Sequence, residues 1–90
     1  MPYPILKIHI TSDFEKSFKK LPKPIKKITE EKDKKFRINA FAPNLKTHKL
    51  KGELNGFYSY SINHQYRILF RFLENSEVIY YDVGTHDIYK

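Results

Sequence analysis

The chain has 90 residues, no cysteine and a formal net charge of +7. That length makes one domain, residues 1–90, with a modest core, and the lack of thiols excludes disulfides and thiolate metal sites and fits a reducing cytosol. No apolar run approaches the ~20 residues needed to span a bilayer, and Met1-Pro2-Tyr3-Pro4-Ile5 lacks the basic-then-apolar pattern of a leader, so a soluble cytoplasmic protein is expected. The charge is lopsided: residues 1–51 hold 14 Lys/Arg against 5 Asp/Glu, and residues 52–90 hold 3 against 5. A basic half of this kind attracts polyanions such as nucleic acid, although a solvated lysine-rich helix face produces the same count.

In chain order, residues 3–10 are apolar-rich with partial alternation and predict a strand. Ser12-Asp13-Phe14-Glu15 has the form of a capping box. Phe14, Phe18 and Leu21 then make one helical stripe that Pro22 stops. Pro24 suits the first turn of a second helix, which carries Ile25, Ile28 and Phe36 along one face and ends by Pro43. Residues 43–56 are polar, basic and glycine-containing and predict a loop. Period-two segments follow at 57–63, 66–72 and 78–83, separated by hairpin-like turns. The expected fold is α+β in the order β-α-α-β-β-β, a helical hairpin on one face of a mostly antiparallel four-stranded sheet. In the segment 66–72, Tyr66, Ile68, Phe70 and Phe72 should face the helices, with Arg67, Leu69 and Arg71 on the open side.

Three segments are candidates to converge beside Arg67: the loop with Lys46, His48, Lys49 and Lys51, the end of the last strand, and the tail with His86 and Tyr89. Together they offer what RNA cleavage through its own 2′-hydroxyl requires. Imidazoles can act as base and acid near neutrality. A guanidinium and ammoniums can hold the phosphate, and a tyrosine can stack on a displaced base. The remaining histidines, His9 in the first strand and His64 in a hairpin turn, are expected to be structural or solvent-exposed. Absence of cysteine and of any i, i+4 histidine pair argues against zinc, and there is no P-loop, Gly-x-Ser-x-Gly elbow or dinucleotide fingerprint. No metal or other cofactor is expected.

The stretch from His48 to Tyr58 (HKLKGELNGFY), Tyr66-Arg67-Ile68-Leu69-Phe70 and Gly84-Thr85-His86-Asp87-Ile88-Tyr89 together resemble the RelE/ParE superfamily, the toxin halves of type II toxin–antitoxin pairs. The YafQ-like and YoeB-like branches look nearest, and the element order agrees over nearly the whole chain. The resemblance implies a ribosome-dependent endoribonuclease that cleaves mRNA in the A site without metal by 2′-hydroxyl attack. Its implied partners are a cognate antitoxin and mRNA on the ribosome, with rRNA contacts and no membrane. It implies His48 as base, Arg67 as clamp on the transition state, His86 as acid and Tyr89 as stacker or auxiliary donor, with the two histidine roles exchangeable. Lys46, Lys49, Lys51 and Arg71 would bind RNA. Ser61 and Gln65 stand where YafQ-like members carry a histidine and an aspartate. The same fold also serves ParE-like inhibitors of gyrase, which generally lack the histidine set, and a non-catalytic RNA- or ribosome-binding module fits the basic half as well.

Overall fold

The computed structural model describes residues 2–89. Its elements are β1 (Lys7–Ile10), α1 (Ser12–Lys20), α2 (Lys23–Ile38), β2 (His48–Lys49), β3 (Tyr58–Ser61), β4 (Arg67–Phe72) and β5 (Glu77–Gly84), with short 3-10 turns at Pro43–Leu45, Gly52–Leu54 and His86–Tyr89. The sheet order is β1-β5-β4-β3-β2. Only β1 runs parallel to its neighbour; the other three pairings are antiparallel. The α+β class and the mostly antiparallel sheet agree with expectation. The strand count does not: within the predicted loop, His48 and Lys49 pair with Ser59 and Tyr58 and add a fifth strand. Two residues are too few for an alternating pattern to register in the sequence.

The start of α1 also differs from expectation. Thr11, not Ser12, is the N-cap: its extended backbone lets the side-chain oxygen accept from the Phe14 amide at 3.0 Å. Its hydroxyl donates to the Tyr81 carbonyl at 2.8 Å, so one residue both caps the helix and ties it to β5. Glu15, left without a capping role, pairs with Lys19 on the surface. The second helix stops at Ile38, with Asn39 extended as its C-cap, rather than running to Pro43.

The predicted stripes form the core. Phe14 and Leu21 are buried and Phe18 packs beside them. Phe36, fully buried, lies 4.5 Å from the Tyr60 ring in a stacked arrangement and 4.9 Å from Phe70 edge-on. Ile68 and Phe70 of β4 face the helices as expected, but Leu69, on the other face, is buried too. Its ladder partner Ser59 is buried as well and bonds the Tyr89 hydroxyl, so the C-terminal turn covers the middle of that face. A bulge in β5 allows Val83 to return to the core: Leu69 opposes Asp82 while Phe70 opposes Tyr80, leaving Tyr81 as the extra residue.

A hydroxyl chain crosses this core. Tyr80 donates to Asp33 at 2.7 Å, its oxygen lies 2.9 Å from that of Tyr60, and Asp33 also takes Arg37 Nε at 2.9 Å. Since the single proton of Tyr80 goes to Asp33, Tyr60 is the donor to Tyr80. Burial pushes both phenols well above their ordinary range, and the Asp33 charge pushes the same way.

Two outcomes are expected. Phe36→Ala should cost about 3–5 kcal/mol, read as a loss of unfolding free energy in denaturant. Unfolded tyrosine releases its proton near pH 10 while folded Tyr60 and Tyr80 hold theirs, so stability is fully present below about pH 10 and falls as pH rises above it. The denaturation midpoint followed from neutral to strongly alkaline pH should show that decline, and Tyr60→Phe should make it shallower.

Candidate functional site

At the β4 N-terminal end of the sheet lies a cleft of about 470 Å³, within the roughly 300–1,000 Å³ typical of ligand sites. Lys32 of α2, Lys46 and Arg67 supply its cations, and His48 and His64 supply two imidazoles. Asn44, Ser61, Asn63 and Ile62 complete the wall, so no carboxylate lines it. A concave surface with three cations and no counter-charge is built for an anion.

Sheet register sets the spacing. His48 pairs with Ser59 on β3, and Arg67 pairs with Ser61, two residues further along the same face. Two strand spacings and one two-residue step put the Cα atoms of His48 and Arg67 roughly 12 Å apart. That gap suits a phosphate reached from both sides. Arg67 is half-buried, and its Nε has no hydrogen-bond partner among the described residues. A buried N–H without an acceptor is costly unless a ligand oxygen meets it.

His48 is held by backbone. Its Nδ1 lies 2.9 Å from the Lys46 carbonyl. A carbonyl only accepts, so Nδ1 carries the proton, and in the neutral ring Nε2 keeps the lone pair. Lys46 presents that carbonyl from a left-handed backbone, φ 53°, at the end of the Pro43–Leu45 turn, an uncommon conformation for a residue with a Cβ. The local sequence therefore orients the ring: a proline-started turn, a left-handed residue, then an imidazole fixed in one tautomer.

A family model for "RelE-like toxin of type II toxin-antitoxin system HigB" matches residues 7–86. The chain belongs to the RelE-like toxins. Solved structures of the same fold include the YoeB/ParE toxin from Agrobacterium tumefaciens, with TM-score 0.76 and 16% identity, covering 90% of this chain and 99% of that one. The toxin–antitoxin complex RelBE2 from Mycobacterium tuberculosis has TM-score 0.75 and 23% identity, covering 96% and 93%. The YoeB–YefM complex from Staphylococcus aureus has TM-score 0.72 and 26% identity, covering 90% and 97%. Comparison with curated protein sequences gives no match.

Of the residues singled out in the sequence, this RelE-like chain brings Lys46, His48 and Arg67 into one cleft. Lys49 and Lys51 are exposed and outside its lining. Arg71 lies four residues along β4 from Arg67, roughly 13 Å away, with its guanidinium 5.3 Å from the Phe57 ring centroid. His86 is not among the lining residues; its ring meets Tyr89 edge-on at 5.9 Å. The Tyr89 hydroxyl is engaged by buried Ser59 at 2.7 Å. The tail nevertheless starts beside the cleft, because Gly84 is the ladder partner of Arg67. Gly84 also accepts the close approach of Ile88, whose Cγ2 would sit 3.0 Å from any Cβ there.

Sequence reasoning passed over Lys32, Asn44 and His64. Lys32 is one of many lysines on a lysine-rich helix, and nothing in spacing separates it from its neighbours. His64 sits in a hairpin turn, where an exposed histidine is ordinary. Arg67→Gln should weaken binding of a short single-stranded oligonucleotide and reduce the slope of log affinity against log salt by about 0.7. Fluorescence anisotropy over a salt series measures this, and an unchanged slope would remove the guanidinium from phosphate contact.

Proposed function

We propose that this RelE-like toxin is a ribosome-dependent endoribonuclease that cuts mRNA in the A site through the substrate's own 2′-hydroxyl, and that a cognate antitoxin restrains it. The observation that carries the nuclease reading is the placement of His48, its Nδ1 proton committed to the Lys46 carbonyl, in the same carboxylate-free cleft as Arg67 with its unpartnered Nε. His48 Nε2 takes the 2′ proton, and the 2′-oxygen attacks the adjacent phosphorus. Arg67, Lys46 and Lys32 neutralise the charge gathering on the non-bridging oxygens, the role that preorganised cations fill in phosphoryl chemistry. No electrons change hands and no cofactor is needed. An acid must protonate the departing 5′-oxygen; the chain offers His64 in the cleft and His86 on the adjoining tail. Tyr89, its hydroxyl held by Ser59, offers its ring for stacking on a base. Lys49, Lys51 and Arg71, exposed on neighbouring surface, extend the basic path for RNA.

An antitoxin partner is supported by family membership and by two similar structures being toxin–antitoxin complexes. A gyrase-inhibiting toxin of the same fold would have no use for the His48 tautomer lock. Primer extension on translated mRNA after induction separates the two readings. Wild-type protein should leave discrete cuts, and His48→Gln should lower the cleavage rate by about 10²–10⁴. Intact mRNA accompanied by DNA damage signalling would abandon the nuclease reading.

A further inference from the structure

We propose that His64, at the tip of the β3–β4 hairpin, is the general acid that completes the cleft, an assignment that rests on the nuclease reading above. Four histidines are available, and their surroundings sort them. The His9 ring is taken by Glu77 at 2.7 Å on the β1 side of the sheet. The His86 ring packs on Tyr89 outside the cleft lining. His48 on β2, His64 in the turn between β3 and β4, and Arg67 at the start of β4 line one cleft. The His64 ring makes no hydrogen bond with the described residues, and no carboxylate lines the cleft around it. Both of its nitrogens are therefore open to substrate.

Position is fixed by the hairpin rather than by the ring. Asn63 Oδ1 accepts from the amides of Gln65 at 2.9 Å and Tyr66 at 2.8 Å, an Asx turn that closes around residue 64. The Ile62 and Asn63 amides both donate to the Tyr66 carbonyl, at 2.9 and 3.3 Å. An exposed side chain on a tied backbone can reach the substrate without the loop having to reorder.

The step balances with the groups present. His48 Nε2 removes the 2′-hydroxyl proton, a bond forms from the 2′-oxygen to phosphorus, and the phosphorus–5′-oxygen bond breaks. The His64 imidazolium gives its proton to that 5′-oxygen. The products are a 2′,3′-cyclic phosphate and a free 5′-hydroxyl, with one imidazole left protonated and the other neutral, ready to exchange protons with water.

The test uses translating ribosomes programmed with a short mRNA whose A-site linkage carries either the natural 5′-oxygen or a bridging 5′-sulfur. A thiolate leaves without protonation, so the sulfur linkage bypasses the acid. On the oxygen substrate, His64→Gln and His64→Asn should each cleave about 10²–10⁴ more slowly in single turnover. On the sulfur substrate they should return to within about tenfold of wild type, while His48→Gln stays slow on both. Far-UV circular dichroism and thermal melts report folding of each variant. Wild-type rates for the His64 variants on oxygen, or equal slowness on both linkages, overturn the assignment. Sulfur rescue of His86→Gln instead gives the acid to the tail. Absence of cleavage by the wild-type protein removes the nuclease reading itself, and the role of His64 with it.

Discussion

Phe36 is the fixed point of this molecule. Its ring is fully buried against Tyr60, Phe70 and Tyr80, one residue from each of the three central strands. Burying an aromatic ring of this size is among the larger single contributions a small core can contain. It also sets the rotation of α2, because a helix with one ring seated in the sheet cannot turn about its axis. Lys32 lies one turn earlier on the same face and so reaches the cleft wall. Asp33, beside it, reaches the Tyr80 hydroxyl. Core packing and site electrostatics thus share one helix face.

The hydroxyl chain from Tyr60 through Tyr80 to Asp33 is the polar counterpart of that packing. Every donor in it has an acceptor, and the carboxylate at its end is further held by Arg37 four residues along the helix. A satisfied buried network specifies one arrangement of helix on sheet, since any shift would orphan a phenol in a dry interior. Pocket walls follow from the same rigidity: β3 and β4 hold Ser61 and Arg67 side by side, and the cleft opens where the strands end.

The opposite face of the sheet is shielded by the chain's own end. Tyr89 bonds Ser59, Ile88 rests on Gly84, and Leu69 is buried among them. The 3-10 turn that carries His86 therefore serves a packing role. Arg67 stands at the border, with the tail's first residue beside it and the open cleft on the other side. Its Nε is the one buried side-chain polar atom without a hydrogen-bond partner among the described residues.

Local signals were sufficient for the two helices, the three long strands and the residues that fill the core, because each is written in a periodicity of 3.6 or 2 over several turns or pairs. They also sufficed for the basic character of the N-terminal half, and they singled out His48 and Arg67, which the fold brings to one cleft. Features that rest on one or two residues were not legible. Thr11 displaces Ser12 as the cap because the Tyr81 carbonyl, distant in sequence, rewards its hydroxyl. His48 and Lys49 become a strand because β3 offers an unpaired edge. The membership of the cleft is of this second kind as well. Lys32, His64 and Arg67 are separated by a helix end, a loop and a hairpin, and only the closing of the sheet against α2 brings them to one wall. Composition and period decide which faces are buried; which charges then meet across a gap is decided by register and helix rotation, and those are properties of the assembled core.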